Sequence, residues 1–196
     1  HGGNMNDVDK NLYNEFGRDV YRNKWDKDGK EAKAGYRAED LFAASALKFY
    51  PDLVPSTEKE NIYDHIDFKC KGLGTLDVKA KKQCFEEGRV WIELKNVIGE
   101  DGWLFGKQDR IAFEWDDHFR IVRRDWLHTR VGDLLDKAKP VNHKSRALYN
   151  YYDRSQYGNK DLLTQITTED VFYVTESTIP FATEQEVTNY RESTFN

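Results

Sequence analysis

The sequence predicts an α/β protein, and three observations carry that prediction. An Ala- and Leu-rich run with helical spacing covers residues 36–50. Three runs of alternating apolar and polar residues follow it closely, and two further strand-like runs and a helical one come after. With 196 residues the chain suits one compact domain, or one domain with an appendage. Charged residues reach 33%, but the 14% aromatic content separates the chain from disordered sequences.

The chain starts His1-Gly2-Gly3-Asn4-Met5, which reads as a tag remnant before an initiator methionine. From Asp7 to about Asp28, Leu12, Phe16, Val20 and Tyr21 are spaced as on an amphipathic helix. Residues 26–33 read as a solvated connector, and the Tyr36–Tyr50 helix is stopped by Pro51. Residues 51–61, with Pro51, Pro55 and Ser56, read as a loop. Residues 62–70, 75–81 and 90–96 then alternate as three strands of a meander, turned at Gly72/Gly74 and at Glu86-Glu87-Gly88. Residues 99–106 are irregular, residues 110–115 and 119–123 read as strands, and Asp125 is placed to cap a helix through Leu135. The tail holds strand-like pieces at 148–152, 162–167 and 171–174, and its last dozen residues, without periodicity, read as loose. These elements divide the chain into an N-terminal arm (1–34), a core (35–130) and a C-terminal extension (131–196).

Cys70 and Cys84 lack a Cys- or His-rich neighbourhood and read as two free thiols of a reducing cytoplasm. No run of 18 apolar residues is present, so no membrane span is expected, and no leader pattern indicates secretion. The net charge of −5 weighs against a generally adhesive nucleic-acid binder. Its distribution is uneven, however. Residues 120–146 carry eight Lys or Arg against three acids, a local net of +5, and Tyr149, Tyr151, Tyr152 and Tyr157 follow. A phosphodiester could be met by Arg120, Arg123, Arg124 and Arg130, with bases stacked on the tyrosines. A solvated helix face and tyrosines in a core are the plainer account of the same residues. His65, His118, His128 and His143 are scattered and read as packing or surface residues.

The most informative residues are acids on the polar strand faces. Alternation puts Asp77 and Lys79 opposite Leu76 and Val78, and Glu93 and Lys95 opposite Ile92 and Leu94. If the two strands pair as a hairpin, Asp77, Glu93 and Lys95 project together. Two carboxylates can hold a hard divalent cation, and an ammonium beside them can orient water or meet a phosphate oxygen. Glu39, beside the apolar stripe of the Ala-rich helix, is costly to bury without such a partner.

The ordered set of helix with Glu39, strand, strand with Asp77, and strand with Glu93-Leu94-Lys95 resembles the PD-(D/E)XK nuclease superfamily. The longer run VWIELKNVIGEDGWLFGKQDRIAFE, residues 90–114, is similar to small phage-encoded members. The resemblance covers roughly residues 35–127. It implies a restriction-endonuclease-like core of helix, three-strand meander, short helix and further strand, flanked by a helical N-terminal arm and a C-terminal extension. It also implies a metal-dependent endonuclease that hydrolyses DNA with Mg2+ (or Mn2+), located in the cytoplasm, the host's if the chain is phage-encoded. Carried over, Glu39, Asp77 and Glu93 bind the metal, Lys95 assists the attacking water, and Gln108 orients the scissile phosphate. A second register makes Asp67 the lone acid and Asp77-Val78-Lys79 the triplet. The first is preferred, because it uses residues 62–70 as the opening strand and leaves Glu93 and Lys95 on the third. RNA cleavage, or a non-catalytic nucleic-acid-binding or structural protein on the same scaffold, are the alternatives. Double-strand cleavage would call for a homodimer, for which the sequence holds no separate signal.

Overall fold

A computed structural model describes residues 8–13, 19–23 and 30–195, with side chains from residue 33 onward except that of Gln83. The predicted tag remnant lies outside the described residues. The architecture is mixed α/β, with two mixed sheets.

The N-terminal arm departs from expectation. Strands β1 (Val8–Tyr13) and β2 (Asp19–Asn23) pair antiparallel where an amphipathic helix was predicted. The β-branched and aromatic residues Val8, Tyr13, Val20 and Tyr21 favour a pleated surface, and that preference prevails over the helical spacing. The remainder of the predicted helix, residues 14–18 and 24–28, lies outside the described residues. Helix α1 (Lys30–Ala46) starts before the expected Tyr36 and includes part of the predicted connector.

After α1 come β3 (Val54–Pro55) and helix α2 (Glu58–Asp64), within what the sequence suggested was loop and strand. Thr57 and Glu60 form a reciprocal capping box that starts α2. His65 ends it with φ 59° and ψ 39°, in the left-handed region. The predicted 62–70 strand is thereby reduced to β4 (Phe68–Cys70). Strand β5 (Gly74–Lys79) pairs with it antiparallel. The tight turn depends on Gly74 at φ +71°, where a Cβ would collide with the Asp109 carboxylate that accepts from Thr75 N and Oγ1.

The chain then leaves that sheet. Helix α3 (Lys81–Cys84) leads into β6 (Phe85–Glu86) and β7 (Arg89–Lys95), which form a hairpin in the other sheet. A 3-10 turn at Trp103–Phe105 precedes β8 (Arg110–Glu114) and β9 (His118–Arg123). Helix α4 (Arg124–Leu134) follows, with Arg123 rather than Asp125 at its cap position. Asp125 sits in the first turn, where its charge suits the helix dipole. The extension supplies β10 (Pro140–Val141), β11 (Tyr151–Asp153), β12 (Leu162–Thr167), α5 (Thr168–Tyr173), β13 (Thr175–Pro180) and α6 (Glu184–Phe195). Residues 171–173 are therefore helical, with Val174 the cap that ends α5, and a Thr167/Asp170 capping box explains why. The last dozen residues, expected to be loose, make α6. It is fastened to α1 by Arg191 Nε donating to Asp40 at 3.0 Å, and to the turn after α1 by Lys48–Glu186.

The six-stranded sheet runs β13-β9-β8-β5-β4-β3, and only β5 and β8 in it are parallel. The five-stranded sheet runs β10-β11-β12-β7-β6. One core packs α1, through Ala38, Phe42 and Ala46, on Phe68, Leu76, Val78, Phe119 and Ile121. A second core joins Ile111, Phe113 and Val122 of the first sheet to Val90, Ile92, Leu94 and Ile166 of the other, with Leu127 and Val131 of α4 beside them. Asp77 and Lys79, on the β5 face away from α1, therefore look into the space between the sheets. Cys70 and Cys84 are both free and buried, as expected of thiols without partners.

A candidate active site between the two sheets

The predicted hairpin of residues 75–81 with 90–96 does not form. β5 pairs with β4 and β8, while β7 pairs with β6 and β12. The first register thus loses the pairing on which it rested. Lys95 is exposed at the end of β7 and lines a hollow with Leu94, Phe105 and His128, which Glu39, Asp67, Asp77 and Lys79 do not line.

The acids of the second register do converge. Asp67, just before β4, accepts from the backbone N–H of Val78 at 2.7 Å and from Asn61 Nδ2 at 2.5 Å. Its pKa is raised well above the usual carboxylate value by desolvation, then by the charge of Glu39 and a hydrogen bond with that carboxyl. Asp77 is 4% exposed, and Lys79 Nζ lies 3.1 Å from its Oδ2. Burial pushes Asp77 up to about 7, against the pull of Lys79. Desolvation opposes the charge on Lys79, but Asp77 foremost, with Cys84, Asp67 and Glu93, raises its pKa on balance. Lys79 also lies over the Trp103 ring, 5.0 Å from the centroid. The acid of α1, the acid before β4 and the D-x-K triplet of β5 are thus one electrostatic unit.

Two more expected residues reach this unit from elsewhere. Glu93 comes from β7, accepts from the Trp103 N–H at 3.3 Å, and is raised by burial in spite of Lys79. Gln108, fully buried, donates from Nε2 to Asp77 Oδ2 at 3.3 Å and to the Trp103 carbonyl at 2.7 Å. Its place is that of a brace for Asp77 rather than of an exposed phosphate contact. Gly102 permits the approach of these parts, since a Cβ there would collide with the Glu93 carbonyl.

Sequence reasoning passed over two residues. His65, half-buried at the end of α2, lies within electrostatic reach of Asp77 and Lys79. Burial lowers its pKa, offset in part by Asp77. The Thr57 capping box two turns upstream is the one signal that a helix ends at His65 and turns it inward. Cys84, pushed up to about 12 by burial, closes the far side near Lys79. No spacing in the sequence ties a cysteine after β5 to that lysine.

The four arginines expected to meet substrate each have internal partners. Arg120 stacks on Phe172 at 3.9 Å and on Trp115 at 5.1 Å. Arg123 pairs with Asp125 at 3.0 Å, and Arg130 with Asp170 at 3.2 Å. Arg124 donates to the carbonyls of Gln108 and Leu104. Of the tyrosines, Tyr149 donates to Asp170 at 2.6 Å and Tyr152 packs on Trp91. The basic segment is knit into the second sheet and its helices.

Among the described residues, no group of three or more His, Cys, Asp and Glu side chains is arranged to hold a metal ion. No described helix is long and apolar enough to cross a membrane. Comparison with known proteins gives no matching family model, no matching curated protein and no matching solved structure.

Proposed function

We propose that the protein is a metal-dependent nuclease that hydrolyses DNA phosphodiesters, with its site in the second register: Glu39, Asp67, Asp77 and Lys79. The observation that carries this reading is the gathering of those four side chains at one place by α1, the segment before β4, and β5. The order β3-β4-β5, antiparallel, followed by parallel β8, supports it too. A meander and a further strand are what the PD-(D/E)XK resemblance implies, and Asp77-Val78-Lys79 would then stand in the place of the triplet.

The donor chemistry fits a hard divalent cation. Carboxyls of Asp67, Asp77 and Glu93 lie around the Lys79 ammonium, with Glu39 beside Asp67, and a cation would relieve the cost of ionising these acids together. Asp67 and Asp77 would hold Mg2+ or Mn2+, with Glu39 beside them, and the bound ion would supply Lewis acidity and a more acidic water. Lys79, kept protonated by Asp77, donates hydrogen bonds to the attacking water or a phosphoryl oxygen and does not act as a base. Gln108 holds Asp77 Oδ2 in place, and Trp103 screens the ammonium from solvent.

A non-catalytic nucleic-acid-binding or structural protein is the second reading. The direct Lys79–Asp77 pair and the absence of a metal-holding group among the described residues favour it. Supercoiled plasmid, linear DNA and RNA incubated with Mg2+ or Mn2+ decide between the two. Nicking that is lost in Asp77→Asn and Lys79→Ala but kept in Lys95→Ala supports the proposal. Loss in Lys95→Ala with activity kept in Lys79→Ala would restore the first register. No cleavage of any substrate gives the second reading, and cleavage of RNA alone changes the substrate.

A further inference from the structure

We propose that the hollow between the turn after β6 and helix α5 binds a trimethylammonium group, carried by a small molecule or by a methylated lysine. Its walls do not include Asp67, Asp77 or Lys79, so it is independent of the metal reading above.

The hollow, about 330 Å3, is walled by Phe85 of β6, Trp115 after β8 and Phe172 of α5. The Phe85 and Trp115 rings stand 4.6 Å apart at 82°, and the Trp115 and Phe172 rings 5.2 Å apart at 46°. Rings turned against one another in this way suit a rounded apolar cation. Phe172 stays 42% exposed, an uncovered aromatic at the mouth. Thr168 N–H donates to the Gly88 carbonyl at 3.1 Å, and Trp115 N–H to the His118 carbonyl at 2.9 Å. These bonds tie α5 to the turn and close the β8–β9 hairpin, so the walls are set before a ligand arrives.

Charge points to a cation. Glu87, Glu114 and Asp116 line the hollow against a single ammonium, that of Lys81. Lys81 is engaged within the group: its Nζ pairs with Asp116, and its backbone N–H donates to Glu114 Oε1 at 2.7 Å. Glu87 is exposed and has no ion pair among the described residues, since nearby Lys144 pairs with Glu86 at 2.9 Å. The rings already hold one cation from outside the hollow. Arg120 lies over Phe172 at 3.9 Å and Trp115 at 5.1 Å, and its buried Nε has no hydrogen-bond partner. A trimethylammonium meets both demands of the hollow. It carries the charge that carboxylates and ring faces attract, and it has no N–H to leave unpaired among apolar walls. A primary ammonium loses hydrogen bonds to water on entering.

The test titrates the whole chain with choline and follows the Trp115 indole and the Gly88 and Thr168 amides by NMR. Choline should bind at least tenfold more tightly than its uncharged tert-butyl isostere and than ethanolamine. Phe172→Ala and Glu87→Gln should each weaken it fivefold or more. Tyr173→Ala, beside Phe172 in sequence but outside the hollow, should leave affinity unchanged. Circular dichroism checks that each variant is folded, and Glu87→Gln, at an exposed turn, keeps the test decisive if Phe172→Ala is not. A trimethyllysine peptide that binds more tightly than choline supports the proposal with a protein as the source, and the reverse order supports it with a small molecule. Equal binding of the isostere, equal binding of ethanolamine, affinity unchanged in Glu87→Gln, or no saturable shift with either trimethylammonium ligand overturns it.

Discussion

The acid cluster makes stability depend on pH in a direction opposite to that of ordinary ion-paired carboxylates. Asp77 rises from 3.8 in a free chain to about 7 in the fold. Between those values the native state binds a proton that the unfolded chain has released, so stability falls as pH rises. A displacement of about three pH units is worth about 4 kcal/mol in total, at about 1.4 kcal/mol per unit. Of this, about 3 kcal/mol falls between pH 5 and pH 8, since the first part is lost below pH 5. Asp67 and Glu93 are also raised and act in the same direction. His65 is lowered from 6.5 and acts against them, because the unfolded chain binds its proton more readily. The lowered acids Glu60, Glu86, Glu176 and Glu186 contribute stability that is lost only as pH falls below about 4.5. Asp77→Asn keeps an oxygen for Lys79 and for Gln108 Nε2 and removes the titration. Urea unfolding of the metal-free protein at pH 5, 6, 7 and 8 measures the effect. The parent should lose about 3 kcal/mol more than Asp77→Asn over that range. Equal losses, or a parent that gains stability with pH, would refute the buried, proton-binding Asp77.

Three further outcomes follow from the same structure. Saturating Mn2+ should raise the melting temperature more at pH 8 than at pH 5, because a cation needs the carboxylates ionised; an equal rise at both values would place the ion elsewhere. Phe42→Ala, which empties a site packed edge-on to Phe119 at 5.2 Å and against Phe68 at 5.7 Å, should cost about 3–5 kcal/mol in urea unfolding. Gly74→Ala should cost about 2 kcal/mol or more and disturb the Thr75 and Asp109 amide resonances, since φ +71° is strained for alanine and its methyl displaces the Asp109 carboxylate.

Local pattern was enough to find β5, β7, β8, β9, β12 and most of α1 in the sequence, because their alternation or helical stripe matches the face they bury. It was not enough to pair them. Glu86-Glu87-Gly88 does make a turn, but the strand that it joins to β7 is the two-residue β6, not β5. Ala80 leads β5 into α3 and out of its sheet, and β5 finds its second partner in β8, more than thirty residues on. A parallel partner at that distance leaves no mark on local periodicity. The same cause misplaced the lysine. Lys79 and Lys95 each lie two residues after an acid on a strand, and only the pairing of β5 beside β4 sets Lys79 next to Asp67. Helices α2 and α5 were legible in principle from Thr57/Glu60 and Thr167/Asp170, whose reciprocal caps outweigh the strand-like residues inside them.

The net charge of −5 can now be placed. Within residues 120–146, Arg123 pairs with Asp125 and Arg130 with Asp170, while Arg124 donates to two carbonyls and Arg120 stacks on two aromatic rings. At the site, Lys79 stands beside Asp77, Asp67 and Glu93, whose charge raises its pKa. A polyanion approaching this site without a cation, once those carboxyls are ionised, meets negative potential from them. If the proposed cation binds here, it would serve the approach of substrate as well as the chemical step. Affinity for DNA should then rise with divalent cation even in Lys79→Ala, where cleavage is lost. Filter binding of that variant with and without Mn2+ separates the two roles, since equal retention would mean that the nucleic acid is held by a surface elsewhere on the protein.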